Sequence, residues 1–273
     1  MANEQDPDLD IEAEEQDVEE IGADDDVSLR PGPNADDQAD IERYISPEVR
    51  ALYDVYSYRH AAAILATSFP EELAEIERAL LNFRITKRDI GMPGGNESVM
   101  PKKFSKTLRP GWVEARIQGD LLVRMQEYDE EFLANGKTRK TKRSESTPRV
   151  IENFIDGHKI DYVKGRVAFD LEWNSKDQTF DRDLYAMRAF HECGLISLGV
   201  MVTRSEKLNP VFEVVPQLNK AGEEVGKTVR AKYGASTTWM GKLLYRLNAG
   251  RHGSCPILVF GITPKLIEDW GQT

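Results

Sequence analysis

Cysteine is almost absent from this chain: two residues in 273, Cys193 and Cys255, too few for a disulfide framework to stand in for a hydrophobic core. Long apolar runs are missing as well, since no stretch approaches the ~18–20 residues that a bilayer-spanning helix requires. The opening residues, MANEQDPDLDIEAEEQD, lack both the basic and the apolar segments of a secretory signal. Three devices of common enzymes are also missing: the Gly-rich phosphate loop, the Gly-x-Ser-x-Gly elbow and the dinucleotide-binding glycine pattern. A cytoplasmic protein with no membrane partner is the expectation.

Positive charge is scarce in one region only. Residues 1–40 hold sixteen acidic side chains against a single basic one, Arg30, a local charge of −15, whereas the remainder carries +4 of a total of −11. Like charges at that density, with few branched or aromatic residues among them, cannot bury enough surface to offset chain entropy. A disordered acidic tail over 1–44 is therefore predicted, ahead of one folded domain at 45–273. Two roles for the tail stay open: a solubilising leader, or an intramolecular competitor for a basic surface on the body.

The folded part carries both helical and strand periods. Ser46-Pro47 starts a helix whose apolar positions run through Leu52, Val55, Tyr56, Ala62, Ala63 and Leu65, and a second helix follows Pro70. A loosely helical period is read over 112–125. The segment 135–144 reads as a polar loop bearing Lys137, Arg139, Lys140, Lys142 and Arg143, either solvated or a phosphate-contacting arm. From Ile160 the period becomes two: a strand over 160–163, a turn at Lys164-Gly165-Arg166 and a strand over 167–173. A helix capped by Asp181 then runs to Gly194, followed by a strand over 195–202, a helix capped by Ser236 or Thr237 that stops near Gly250, and a strand over 256–262. This order describes an α/β fold, a central mixed sheet with helices on both faces.

Asp170 and Glu172 stand two apart in an otherwise apolar strand, so they share one face of it. Asp161, on the preceding strand, can reach that face. Three converging carboxylates raise one another's pKa unless a cation intervenes, and a hard divalent ion such as Mg²⁺ suits oxygen ligands. The alternative is a solvated strand face that merely alternates. His191 with Cys193 and His252 with Cys255 offer a rival zinc set. Arg204, Lys227, Arg230, Lys232 and Tyr233 could line a DNA cleft together with residues 137–143.

Asp161, eight intervening residues, then Asp170-Leu171-Glu172 resembles the active-site motif of the PD-(D/E)xK nucleases, and specifically the BglII and BamHI group of type II restriction endonucleases. Tyr56-Ser57-Tyr58-Arg59-His60-Ala61, Gly111-Trp112, the strand hairpin, Val200-Met201-Val202-Thr203-Arg204 and Pro256-Ile257-Leu258-Val259-Phe260-Gly261 follow in that group's order, over about 50–270. The resemblance implies a restriction-endonuclease-like fold, with Mg²⁺ held by Asp161, Asp170 and the Leu171 carbonyl against a scissile phosphate. Glu172 replaces the usual Lys and would position or deprotonate the attacking water, or ligate the metal. Glu114 is the choice for a further acid on a nearby helix, with Glu145 and Glu152 as alternatives. A shifted register, Asp161 with Glu172 and Asn174, is a second reading. The substrate implied is double-stranded DNA at a short palindromic site, GATC-centred in similar proteins, cut by a homodimer and guarded by a cognate DNA methyltransferase. A catalytically decayed DNA-binding protein, or a nuclease outside restriction, are the alternatives.

Overall fold

The computed structural model describes residues 30–94, 99–144, 147–234 and 236–271. Among the described residues, helices α1 (Gln38–Tyr44) and α2 (Pro47–Leu52) lead into strand β1 (Tyr53–Tyr58) and helices α3 (Ala61–Ser68), α4 (Pro70–Asn82), α5 (Lys87–Gly91) and α6 (Val99–Leu108). Strands β2 (Val113–Val123), β3 (Tyr128–Phe132), β4 (Thr138–Lys142), β5 (Arg149–Lys164) and β6 (Val167–Glu172) follow, then α7 (Thr179–Glu192) and β7 (Leu198–Arg204). The chain closes with α8 (Asn209–Val214), β8 (Pro216–Leu218), β9 (Glu224–Thr228), α9 (Met240–Asn248) and β10 (Ile257–Ile262).

Six strands form the central sheet in the order β1-β10-β7-β6-β5-β2. Strands β10, β7 and β6 run parallel, and β1, β5 and β2 join antiparallel. The α/β reading holds, and the reason is visible in two apolar layers. One face of the sheet, through Phe169, Leu171, Val200, Val202, Leu258 and Phe260, packs under α2, α3, α4 and α6. The other, through Ala168, Met201, Ile257 and Val259, packs under Leu184 and Met187 of α7 and Leu243 and Leu247 of α9. Each such fully buried side chain contributes ~1.5–3 kcal/mol of transfer free energy, so β6, β7 and β10, buried on both faces, form the rigid centre. Gly199 lets α7 come close, because a Cβ there would press into the Met187 sulfur.

Several elements differ from the sequence reading. Residues 53–58 are a strand rather than the middle of a helix: Tyr53, Val55 and Ser57 pair with β10. The strand ends where Arg59 and His60 take left-handed backbone angles, φ 57° and 59°, a turn held by Asp36, which accepts from Ser57 Oγ at 2.6 Å and from the His60 N–H at 2.8 Å. Residues 112–125 are not helical either; β2 pairs with β5 along its length, with bulges. The basic segment is a hairpin, β3 against β4, instead of a loop. In the last helix the cap position falls to Trp239 rather than to Ser236 or Thr237. In α7 it falls to Gln178, which leaves Asp181 in the first turn, paired with Arg246 and Arg251 of the α9 region.

The expected tail is shorter at its C-terminal end. Ile41 of α1 is buried, and the backbone of Gly32 donates to Asn248 Oδ1 at 2.9 Å while Asn248 Nδ2 donates to the Arg30 carbonyl at 2.6 Å. Residues 30–44 thus pack on the domain. Residues 1–29 of the expected tail lie outside the described residues. No helix among the described residues is long and apolar enough to cross a membrane.

Candidate active site

Hairpin β5–β6 turns at Gly165, whose φ of 54° is a conformation that glycine adopts at little cost. Register then fixes the faces of β6. Asp170 lies opposite Met201 and Glu172 opposite Thr203 on β7, so the two carboxylates share the face that packs on α7, while Phe169 and Leu171 point into the other layer. The helix answers with a carboxylate of its own. Asp183, 1% exposed, hydrogen-bonds to Glu172, and Arg182 reaches both, 3.1 Å from Asp183 Oδ1 and 3.8 Å from Glu172 Oε1. Sequence reasoning missed Asp183, which there reads as one more polar helix position beside Asp181.

Burial sets the protonation of this group. Desolvation pushes Asp183 up to about 8, and the Glu172 charge adds to the effect. Asp170 is raised well above the usual carboxylate range by burial and then by Asp183, Asp161 and Glu172. Glu172 is raised by burial, against hydrogen bonding from Ser175 and Asp183. Such acids stay protonated unless a cation compensates them.

A cavity of about 470 Å³ opens at this end of the hairpin, lined among others by Asp161, Leu171, Glu172, Asn174 and Glu114. Asp170 is not part of its wall. It lies beneath, 5% exposed, and its Oδ1 accepts from the Leu171 N–H at 2.9 Å. Among the described residues no three His, Cys, Asp or Glu side chains stand close enough to form a ready metal cage. The donor set is nonetheless suited to a hard cation. It consists of carboxylates and a backbone carbonyl, and Asn174 Oδ1 and Thr203 Oγ1 are buried oxygens with no hydrogen-bond partner.

Other sequence candidates are placed differently. Glu114 sits on strand β2 rather than on a helix; it borders the cavity and pairs with Lys159 at 2.7 Å, which lowers its pKa. Glu152 is exposed on the distal half of β5, and Glu145 lies outside the described residues. Arg204 cannot meet DNA: it is 2% exposed, donates to the Thr238 carbonyl at 3.0 Å and lies over the rings of Phe212 and Tyr233. Burial lowers its pKa to about 10. Of the basic hairpin, Arg139 pairs with Glu131, Lys140 with Glu130, and Arg143 with Glu127 and Asp129, so its charge is partly spent across the hairpin. Lys137 and Lys142 are exposed on the same hairpin. Tyr233 is buried against Trp173 and Phe212. Lys232 borders the cavity but gives its ammonium to the carbonyls of Ile90 and Met92. Lys227 and Arg230 are exposed on and after β9, with Arg230 paired to Glu213.

The zinc alternative finds no support in the geometry. His252 Nδ1 is engaged by the Cys255 carbonyl at 2.7 Å, and His191 Nδ1 lies 3.3 Å from Ser254 Oγ.

A family model described as restriction endonuclease BglII/BglIII matches residues 53–262. No curated protein matches the chain. The matched span runs from the first residue of β1 to the last of β10 and so takes in every strand of the central sheet together with the carboxylate corner. With that coverage, the chain belongs to the BglII/BglIII restriction endonuclease family, whose members are DNA nucleases.

Proposed function

We propose that the protein is a type II restriction endonuclease that hydrolyses phosphodiester bonds of double-stranded DNA at a short palindromic site in the presence of Mg²⁺. The observation that carries this reading is the cavity where Asp161 of β5 and Glu172 of β6 meet over the buried Asp170, within a family of nucleases. Asp161, Asp170 and the Leu171 carbonyl would hold the ion. When bound, it neutralises charge on the phosphate and makes a hydroxide accessible near neutral pH. Glu172 orients the attacking water and takes up its proton. Asp183 and Arg182 fix the Glu172 carboxyl from behind, and Glu114 closes the acidic wall on the β2 side. No side-chain nucleophile is required, and the 5′-phosphate stays on the product.

A two-fold site in DNA is matched most simply by two copies of the chain, one per strand, so the working unit is a homodimer. A GATC-centred sequence is the first to test, and a cognate methyltransferase would shield the host's own copies. The position of Asp170 favours one second reading, a DNA-binding protein that no longer cuts, since a side chain one methylene shorter than glutamate turns inward there. Incubation with unmethylated phage DNA, with Mg²⁺ or EDTA, separates the readings. Discrete bands in Mg²⁺ alone support the restriction enzyme, a smear means a nonspecific nuclease, and retardation without cutting means a binder.

A further inference from the structure

An acidic cavity repels the polyanion it is meant to admit, so its cations decide where a phosphate can enter. Among the described residues two cationic side chains border it, Arg109 and Lys232. Lys232 is tied to the carbonyls of Ile90 and Met92. The acids Asp89 and Glu114 are paired with Lys103 and Lys159, each at 2.7 Å.

Arg109 is held differently. It follows α6, and its exposed guanidinium donates from Nη1 to the Trp112 carbonyl at 3.3 Å and from Nη2 to the Asp161 carbonyl at 3.1 Å. Its Cζ lies 5.0 Å from the centre of the Tyr162 ring. No carboxylate is within ion-pair distance of it among the described residues. Three contacts therefore fix the plane of the fork while Nε–H and one hydrogen on each Nη remain unspent. A guanidinium so arranged fits the oxygens of a phosphodiester and loses little side-chain entropy on binding one.

We infer that Arg109 is the phosphate-binding side chain of this site: a non-bridging oxygen of the DNA backbone docks on its free edge, beside the Asp161 that it holds through the carbonyl. This rests on the nuclease reading. It adds that phosphate capture and placement of the Asp161 backbone are one unit, because the side chain that would take the phosphate is the one that donates to the Asp161 carbonyl.

The test uses the full chain and a labelled duplex of random sequence, with binding measured in EDTA across a salt series and cleavage measured separately in Mg²⁺. Arg109→Ala is expected to bind several-fold more weakly at low salt and to reduce the slope of log affinity against log salt by about 0.9, one phosphate contact. Arg109→Lys is expected to restore the slope through its charge while single-turnover cleavage stays at least about tenfold down, because a point charge lacks the fork. Arg166→Ala is the control, an exposed arginine whose guanidinium is also held by neutral acceptors, the Gly194 carbonyl and the Ser197 hydroxyl, but at the far hairpin turn; its slope should match wild type. Wild-type slope and affinity in Arg109→Ala, or an equal loss in Arg166→Ala, overturns the inference. Wild-type protein that binds with the Arg109-dependent slope but never cuts overturns only the nuclease reading, and wild-type protein that binds no duplex overturns both.

Discussion

The carboxyl groups of Glu172 on β6 and Asp183 on α7 share a hydrogen bond across the helix–sheet contact, with Arg182 bridging their outer side. Asp183 is raised to about 8, first by burial and then by the Glu172 charge. The folded chain therefore keeps a proton that the unfolded chain releases near pH ~4. That contribution to stability is complete below the unfolded pKa and fades as pH rises through about 8. In EDTA, thermal melts of wild type should fall across this window, and Asp183→Asn should fall less, melting a few degrees higher at pH 9. Parallel pH profiles of the two melting temperatures would contradict the shared proton.

Asp161→Asn and Asp170→Asn each remove ligand charge and almost no volume. Cleavage should drop more than about 10²-fold in both, while duplex binding in EDTA holds or tightens, since negative charge facing phosphate is lost. Retention of more than a few percent of wild-type cutting by both variants sinks the assignment.

The choice between Asp170-Leu171-Glu172 and Glu172-Trp173-Asn174 is open to a direct comparison, because Glu172 and Asn174 both line the cavity. Glu172→Gln should lose about 10²–10⁴-fold if its carboxylate accepts the proton of water. Glu172→Lys should be inactive as well. Normal cutting by Glu172→Ala with loss in Asn174→Ala would transfer the second ligand position to Glu172 and the third to Asn174.

Two truncations separate the charge of the N-terminal segment from its packing. Removing 1–29 deletes thirteen acids and no base, so nonspecific DNA binding should strengthen at low salt and converge with wild type as salt rises. Its melting temperature should not move. Removing 1–44 also takes Asp36 and the buried Ile41, and the melt should drop by about 5 °C or more, at ~2–4 °C per kcal/mol lost. Equal affinity of full-length and 1–29-deleted protein at low salt would leave the segment as a solubility leader.

How much of this was legible depended on which period a segment could show. The β5–β6 hairpin announced itself through Lys164-Gly165-Arg166 between dense apolar runs, and β7 and β10 through their length and branched residues. Across the α2–β1 junction, Leu52, Val55 and Tyr56 satisfy a helical spacing, and only the alternation of Tyr53, Val55 and Ser57 against Asp54 and Tyr56 separates a strand from it. For β2 the signal was present: Glu114, Arg116, Gln118 and Asp120 alternate with Ala115, Ile117, Gly119 and Leu121. The β3–β4 hairpin carried Asn135-Gly136, with Gly136 at φ 75°. The site was legible as far as it lay on one hairpin. Asp183 and Arg109 come from elements that only tertiary folding brings to it, and no local spacing points to them.

Strand β5 runs from Arg149 to Lys164, but bulges interrupt its pairing with β2, and Asn153 within it takes a left-handed backbone angle, φ 52°. Its outer end lies in a two-stranded arm with β2, where Leu122, Val150 and Phe154 stand exposed. The bulges at Arg116/Gln118 and Gly119/Leu121 and the turn at Asn153 lie between that outer end and Asp161, so the arm has its own hinge points, and its bending is taken up there before it reaches the carboxylate.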